Sequence, residues 1–466
     1  MRAVDRAALG ACGPVKSADR PCGLRTIGPV RRIAALAAFV LLAAPGPRAT
    51  AAPTSDPRDA LLLARAERVG RNVATRHLTP EGLLAYAHRH GATGAQLSHD
   101  ALKMADTGIW SGCYAASLAC RYAVTRDPEA LALCRRAAAG LDLLSTATGV
   151  EGAISRAAGR PIPGEPLPDE VKPSPLGGGL AYRDDPSRDT LSGVVLGWTC
   201  LARFVDDPEV RAYAGRNLGA IARRLFRGGM AVRGPDGRTT KHGSLQRKIA
   251  LVFDNGSHAS IGAAAVLAGM RWSGDRDLAD AWSRLCDDGW DDAVDAQHTW
   301  VGGKALSASN VNMAHLALLV LALEDTGKAK RNALEAMREF RRATRGWHNG
   351  GLLACALLAG VAVDRDAMVE ELRETLLDLP AGEVPWVGGQ PVERGKPVPL
   401  ERRPVSVWTW KQDPDRELVA APDMRLDPER TFTRADYLFA YWLARAAGEL
   451  APDGPRPASV PPPPPR

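Results

Sequence analysis

The stretch DTGIWSGCYAASLACRYAVTRDPEALALCRRAAAGLDLL, residues 106–144, holds two helical patterns separated by a short turn. The first run is apolar and rich in Ala, Gly, Ser and Cys, whereas the second carries charged residues between its apolar ones. Between them, Asp127 and Pro128 are typical of a new helix start, because Asp caps helices and Pro suits the first turn. The stretch therefore predicts a helical hairpin in which only the second helix has a polar face.

The hairpin pattern recurs four more times, and each copy again has a small-residue helix, a short turn and a more charged helix. The copies occupy residues 189–226, 255–293, 310–343 and 348–379. An amphipathic segment, 57–77, precedes the first copy, and an apolar segment, 433–450, follows the last. These segments bring the prediction to six helices of each kind.

Helices with so little polarity must be buried on most of their circumference, so we expect the six apolar helices to form an inner ring and the six amphipathic ones an outer ring. The repeat spacing is too irregular for a uniform solenoid. The predicted fold class is all-α, an (α/α)6 toroid of six helical hairpins with long loops. Residues 228–244 predict a small β-hairpin insertion that turns at Pro235-Asp236-Gly237.

Three regions are predicted along the chain. Residues 1–51 read as an N-terminal extension and signal peptide, because Arg31 and Arg32 precede an apolar run, 33–44, and a small-residue cleavage site, 49–51. That run is short for a bilayer span, so export without stable membrane insertion is expected, with an uncleaved anchor as the alternative. Residues 52–450 form the toroid, and residues 451–466 a Pro-rich disordered tail.

Charge excludes a nucleic-acid partner. The net charge is +7, but the first 51 residues hold eight of the 60 Lys/Arg and only two of the 53 Asp/Glu, which leaves a nearly neutral remainder. No basic block with interleaved aromatic residues occurs in that remainder.

Cysteine usage favours buried thiols. The six cysteines after the leader lie inside apolar helical patterns and form neither CxxC pairs nor Cys/His clusters, so no metal site and no cofactor is expected. A bridge between Cys120 and Cys134 remains open for an oxidising compartment.

All inner helices of such a toroid run in one direction, so their N-terminal ends meet at one mouth. Polar and aromatic side chains stand at every one of these predicted ends. The candidates are Asp106, Trp110, Arg183, Asp185, Asp189, Asp254, His258, Asn312, Trp347, His348, Asp436 and Tyr437. Helix capping explains single Asp and Asn residues, but it does not explain the added Trp, His and Arg.

Aromatic faces with carboxylates and amides suit a sugar ring, which presents apolar C–H faces and hydroxyl groups. Long Pro- and Gly-rich connections, 149–188 and 379–433, precede two inner helices and could cover the mouth. The second connection contributes Trp386, Trp408 and Trp410. An oligosaccharide or polysaccharide is therefore the expected partner.

The D-x-G-x-W start at residues 106–110, the RDDPSRDT segment at 183–190 and the DG-x-T hairpin together resemble the six-hairpin glycosidase-like superfamily. No single family within it is matched. The resemblance implies the toroid fold and a choice among hydrolases, uronyl hydrolases, epimerases and lyases.

Glycoside hydrolysis needs a carboxylic acid and usually a second carboxylate, and the predicted catalytic residues are Asp106 and Asp189, with Asp254 in reserve. The other candidates are predicted to bind the substrate. One alternative is a polysaccharide lyase for uronate glycans, with Tyr182 or a mouth histidine as base. Another is a toroid that only binds a glycan or a protein surface.

Overall fold

The computed structural model describes residues 56–85, 87–90, 96–97, 101–164, 166–249, 253–297, 300–301, 304–305, 308–379, 384–385 and 430–452. Helices dominate these ranges. The α-helices, in chain order, are α1 Pro57–Asn72, α2 Thr107–Thr125, α3 Pro128–Thr146, α4 Arg188–Phe204, α5 Pro208–Arg227, α6 Gly256–Ser273, α7 Arg276–Asp287, α8 Ala308–Glu324, α9 Lys328–Ala343, α10 Gly350–Ala359, α11 Arg365–Asp378 and α12 Ala435–Ala446. A π-helical turn, Val73–His77, extends α1, and two 3-10 turns occupy Ala101–Lys103 and Asp292–Asp295.

Short antiparallel strands lie in the connections between helices. They are β1 Ala87–His90, β2 Gln96–Leu97, β3 Ala157–Gly159, β4 Val171–Pro173, β5 Ala181–Arg183, β6 Ala231–Arg233, β7 Thr239–Ser244, β8 Lys248–Ile249, β9 Phe253–Asp254, β10 Trp300–Val301, β11 Lys304–Ala305, β12 Val384–Pro385 and β13 Arg430–Phe432. They form a four-stranded sheet in the order β12-β13-β1-β2, a three-stranded sheet in the order β3-β5-β4, and three two-stranded hairpins.

The even-numbered helices form a closed inner ring. Helix α2 packs against α4, and the contacts continue through α6, α8 and α10 to α12, which packs back against α2. Each odd-numbered helix lies outside this ring and contacts at least one of its members. The predicted (α/α)6 toroid is therefore confirmed in the part of the chain that the structure describes.

Several outer helices begin at the same capping signal. Asp56, Asp127, Asp207 and Asp275 each precede an outer helix, and each side chain accepts a first-turn backbone N–H at 2.9–3.0 Å. Three of these caps are followed by Pro at the first helical position, where no intrahelical N–H is needed. The Asp-Pro turns seen in the sequence thus start α1, α3 and α5.

The inner helices approach one another through glycine. A Cβ placed on Gly112 of α2 would lie 1.9 Å from the carbonyl oxygen of Gly193 in α4, and one on Gly193 would lie 2.4 Å from Cα of Ile109. Their backbones are therefore in direct contact, which a larger side chain at either position would prevent. The small residues of the inner helices are what allow six helices to close around one axis.

The hairpin expected at residues 228–244 is present as β6 and β7. Gly237 adopts a positive φ of 80° in its turn, and the Gly237 N–H donates to the carbonyl oxygen of Gly234 at 3.0 Å. The β3-β5-β4 sheet in the connection before α4 was not predicted. Its strands are only three residues long, and the Pro and Gly residues around them are not typical of strands. This sheet carries Arg183 at the end of β5.

The cysteine side chains agree with the prediction of buried thiols. Cys113, Cys120, Cys134, Cys200 and Cys355 are buried and free, and Cys286 is free and half-buried. Burial raises the pKa of each thiol because the apolar core disfavours the thiolate. No bridge joins Cys120 to Cys134 in the structure.

Candidate functional site

Contacts at both ends of the inner helices, including that of Arg203 in α4 with Glu324 in α8, show that α2, α4, α6, α8 and α10 run in the same direction. At the N-terminal ends, Gly108 of α2 lies against Thr190 of α4, and the Asn349 amide, which caps α10, donates to Oδ1 of Asn312 in α8 at 3.1 Å. At the C-terminal ends, the indole N–H of Trp272 in α6 donates to Glu324 of α8 at 3.0 Å. The N-terminal ends therefore share one face of the ring, here called the mouth.

Asp106 stands at the start of α2 and makes no capping hydrogen bond with its side chain. Its carboxylate lies 3.8 Å from a guanidinium nitrogen of Arg156, and both side chains keep about a sixth of their surface exposed, 17% and 16%. The acid is thus held at the mouth by an ion pair rather than used as a helix cap. A carboxylate in this position remains able to meet a ligand.

Asp189 lies in the first turn of α4, beside Asp106. Burial raises the pKa of its carboxyl, and the charge of Asp106 raises it further. The hydroxyl of Ser187, which donates to Oδ2 of Asp189 at 3.2 Å, acts in the opposite direction, as do the charges of Arg188 and Arg156. Asp189 is therefore a half-buried acid whose pKa lies above its usual value, with a second carboxylate close enough to influence it.

The two acids are brought together by the glycine contact between α2 and α4. Asp106 lies six residues before Gly112, and Asp189 lies four residues before Gly193. A Cβ on Gly108 would come within 2.6 Å of Thr190, which follows Asp189 directly. Close packing of the helices therefore sets the spacing of the carboxylates.

Arg183 and Asp185 lie at the end of β5 and in the loop that follows it. One guanidinium nitrogen of Arg183 donates to the carbonyl oxygen of Lys103 at 3.0 Å, and another lies 3.6 Å from Glu170. Asp185 has a positive φ of 60°, and its carboxylate accepts the Lys241 N–H of β7 at 2.8 Å. In this structure both side chains bind neighbouring backbone and so shape the rim of the mouth.

His258 stands in the first turn of α6. Its Nδ1 accepts the backbone N–H of Gln246 at 3.2 Å, so Nε2 carries the proton of the neutral ring. Burial, with the nearby charge of Arg188, lowers the pKa of His258 to about 4. His258 is therefore a neutral hydrogen-bond donor at physiological pH.

The ends of α8 and α10 contribute amides and an imidazole that are already bonded. Asn312 is 2% exposed and accepts from Asn349. His348 has a φ of 49°, its Nδ1 lies 3.2 Å from the Thr375 hydroxyl, and its backbone N–H donates to Glu371 at 3.2 Å. Both partners of His348 belong to the outer helix α11. Trp347 beside it is half-buried.

Trp110 and Tyr437, both predicted to contact the substrate, are buried in this structure, and their roles in substrate binding stay predictions. Trp110 is 1% exposed and belongs to the hydrophobic core, because it lies inside the first turn of α2 rather than before it. Tyr437 is fully buried, and its hydroxyl donates to the carbonyl oxygen of Leu62 in α1 at 3.1 Å. Both rings belong to the hydrophobic core that lies between the helices.

Asp436 is also buried at the start of α12. It is 4% exposed and lies 3.8 Å from Arg434, which is 3% exposed and whose pKa is lowered by burial. A role for Asp436 in substrate binding stays a prediction.

The backbone of Asp254 forms β9, but its side chain and the residues Trp386, Trp408 and Trp410 lie outside the described part of the chain.

His315, about two turns into α8, belongs to the core. Its Nδ1–H donates to the carbonyl oxygen of Val311 at 2.9 Å, and its ring packs 4.9 Å from that of Phe340 in the outer helix α9. Burial lowers its pKa to about 4. Among the described residues, no group of three or more His, Cys, Asp or Glu side chains could hold a metal ion.

Arg156 carries no signal in the sequence that marks it as a site residue. This residue precedes β3, in a Pro- and Gly-rich connection that gave no helical or strand signal, and only the fold brings it between the starts of α2 and α4. Ser187, which caps α4 and bonds Asp189, was missed for the same reason. Arg156 and Ser187 are recognised only once the fold shows which side chains contact the predicted acids.

The fold and the mouth define the class of protein as an (α/α)6 toroid with an acidic pair at the N-terminal ends of its first two inner helices. No protein-family model matches the chain, and no curated protein matches it. Within the described ranges, no helix combines the length and apolar character needed to cross a membrane.

Solved structures similar to this chain include three carbohydrate enzymes. A GH76 α-mannanase from Bacteroides thetaiotaomicron has 11% identity and a TM-score of 0.44, over 83% of this chain and 95% of its own. A metagenome-derived glycoside hydrolase family 9 endoglucanase has 15% identity and a TM-score of 0.43, over 84% and 81%. A cellobiose 2-epimerase from Bacillus thermoamylovorans has 10% identity and a TM-score of 0.42, over 82% and 99%. Similarity at this level assigns no residue and no reaction to this chain.

Proposed function

We propose that this chain is an exported glycoside hydrolase that cleaves an oligosaccharide or polysaccharide with Asp189 as general acid and Asp106 as the companion carboxylate. The observation that supports the proposal is the pairing of two neighbouring acids in different surroundings. Burial and the charge of Asp106 favour the protonated form of Asp189, while Arg156 faces Asp106. Two neighbouring carboxyl groups in different surroundings are the usual basis for assigning an acid and its companion.

The chemistry follows from where the proton resides. Asp189 donates its proton to the glycosidic oxygen as the bond from that oxygen to the anomeric carbon breaks. Asp106 either takes a proton from the attacking water or attacks the carbon itself, and the distance between the carboxylates decides which. Among the described residues, the half-buried Trp347 and the Nε2–H of His258 are mouth groups able to contact a sugar ring and its hydroxyl groups.

The lyase alternative has less support from these side chains. Tyr182 is 6% exposed, and burial raises the pKa of its hydroxyl, which disfavours the phenolate that a base requires. The Nδ1 atom of His258 accepts the Gln246 N–H, so the ring proton is on Nε2. In this tautomer Nε2 can donate a hydrogen bond but cannot take up a proton as a base. Arg183 already bonds Lys103 and faces Glu170, which leaves it less available to neutralise a uronate.

The test is turnover of a panel of neutral and uronate-containing oligosaccharides by the purified protein. Hydrolysis adds water and creates new reducing ends, whereas a lyase adds no water and creates the ultraviolet absorbance of an unsaturated uronate. We expect water addition by the wild type, and a loss of about 10²–10⁴-fold in kcat for D106N and for D189N, the usual contribution of general acid–base catalysis. D254N in the same assay tests the reserve acid.

Asp127 provides the matched control, because it lies beyond the C-terminal end of α2 and D127N keeps a capping side chain at the start of α3. It should retain wild-type turnover. If D106N and D189N also retain it, the assignment of these acids is wrong. If glycans bind and none is cleaved, the protein is a binding toroid instead.

A further inference from the structure

Arg156 joins the segments that carry the two acids. Its Nε donates to the carbonyl oxygen of Ala105 at 2.6 Å, one residue before Asp106. A second nitrogen donates to the carbonyl oxygen of Asp185 at 3.2 Å, in the loop that leads into α4, and a third lies 3.8 Å from the Asp106 carboxylate. The guanidinium of Arg156 thus contacts both the segment that precedes α2 and the loop that precedes α4.

The backbone of Arg156 fixes the same place independently of the side chain. Its N–H donates to the carbonyl oxygen of Arg183 at 2.8 Å, and its carbonyl oxygen accepts the Gly108 N–H of α2 at 3.1 Å. Replacing the side chain therefore leaves the main-chain connection between β5 and α2 in place. This separates the function of the guanidinium from the folding of the segment.

We propose that Arg156 is a positioning residue of the catalytic pair, whose guanidinium sets the orientation of Asp106 and the separation between the start of α2 and the loop before α4. This inference rests on the function proposed above. Arg156 acts through the acids and need not touch the sugar. Its value to catalysis lies in geometry, because a displacement of about 1 Å at a reacting group costs about a hundredfold in rate.

Arg156 also affects the pKa of Asp189 through its charge, separately from its hydrogen bonds. Asp106 faces it from α2, Asp189 and Arg188 lie in the first turn of α4, and Arg183 and Asp185 belong to β5 and its following loop. The cation of Arg156 lowers the pKa of Asp189, opposing burial and the charge of Asp106. Loss of the cation should therefore let Asp189 hold its proton to a higher pH.

Arginine and lysine should differ here in an informative way. A planar guanidinium can bond two carbonyl oxygens and face a carboxylate at once, whereas an ammonium on a flexible stem supplies the charge without the fork. R156K should keep the titration of Asp189 near that of the wild type but lose turnover. R156M should lose turnover and also shift the titration of Asp189 upward.

The experiment measures turnover and the Asp189 titration separately on the full chain. The titration is followed by NMR of protein labelled with ¹³C at the aspartate carboxyl carbons, and the Asp189 signal is identified by its absence in D189N. Arg160 is the matched control, because it lies at the other end of β3, is 62% exposed and pairs with Glu81. R160M should behave as the wild type in both measurements.

We expect kcat to fall about a hundredfold in R156M and R156K with little change in KM. We also expect an upward shift of the Asp189 titration, and of the alkaline limb of the rate profile, in R156M alone. An Asp189 titration in R156M that matches R160M, or wild-type turnover in both Arg156 variants, would overturn the proposal. If the wild type cleaves no glycan, the proposed function fails, and the titration alone then decides whether Arg156 controls Asp189.

Discussion

Gly112 and Gly193 bring the first two inner helices into backbone contact, since a Cβ on Gly112 would lie 1.9 Å from the Gly193 carbonyl oxygen. The contact lies within two helical turns of both mouth acids, Asp106 and Asp189. The same packing that closes the ring therefore sets the distance on which the proposed chemistry depends.

Adding a methyl group at this contact should destabilise the protein. We expect G112A and G193A each to lower the free energy of unfolding by about 1–3 kcal/mol or more, because the helices must move apart. Urea unfolding measures the change. Gly70 in α1 is the control, since its nearest neighbour, a Leu438 methyl carbon, is 4.0 Å from an added Cβ. G70A should gain about 0.5–1 kcal/mol from helix propensity, and equal stabilities of G70A and G193A would contradict the packing argument.

The raised pKa of Asp189 has a consequence for stability. A carboxyl whose pKa is higher in the folded state than in the unfolded state destabilises the fold once the pH exceeds the unfolded value of about 3.9. D189N should therefore be more stable than the wild type at neutral pH, while losing activity. The advantage should shrink as the pH falls below about 4, when both states hold the proton. Urea midpoints measured across this range would show the convergence, and a D189N that is less stable at pH 7 would count against the burial argument.

His258 and His315 should make the fold sensitive to mild acid. The pKa of each is lowered to about 4 by burial, so between about pH 6.5 and 4 the unfolded chain binds protons that the folded chain does not. Stability should fall on acidification through this window, with a slope approaching about 1.4 kcal/mol per pH unit for one such group. H258Q should reduce the slope, whereas H242Q, at an exposed hairpin position, should leave it unchanged. A slope unaffected by H258Q would show that His258 titrates normally.

A buried carboxyl group, that of Glu324, joins three inner helices at the end opposite the mouth. The Glu324 side chain of α8 is fully buried, lies 3.5 Å from Arg203 of α4 and accepts the Trp272 indole N–H of α6. E324A should cost about 1–3 kcal/mol of stability, because it leaves the half-buried guanidinium of Arg203 and the indole N–H of Trp272 without this acceptor. E335A removes an exposed pair with Arg338 on α9 and should cost less than about 1 kcal/mol. Similar losses in the two variants would mean that the Glu324 pair is not effectively buried.

The N-terminal leader is testable without any substrate. We expect the protein recovered from its native host to begin near Ala52, because the apolar run at residues 33–44 is followed by the small-residue site at 49–51. N-terminal sequencing gives the answer. A mature protein that starts at Met1 would remove export from the proposed function.

Helix period and composition alone identified the toroid. Small, apolar runs alternating with charged ones, separated by short turns of Asp, Gly or Pro, predict an inner and an outer ring, because each inner helix must be covered on most of its surface. The same reasoning placed Asp106 and Asp189 at the mouth, since equivalent ends of parallel helices share a face. These inferences needed only local pattern, so the sequence was sufficient for them.

Side-chain direction and long-range neighbours were decided by the tertiary structure. Trp110 lies four residues from Asp106, but the helix begins at Thr107, so its ring turns into the core instead of toward a ligand. Arg156 is fifty residues from Asp106 along the chain, and only the packing of the β3 connection brings its guanidinium to the acids. A period fixes which helix face is apolar, whereas the environment of a given side chain depends on every element that packs around it, and that is established only when the ring closes.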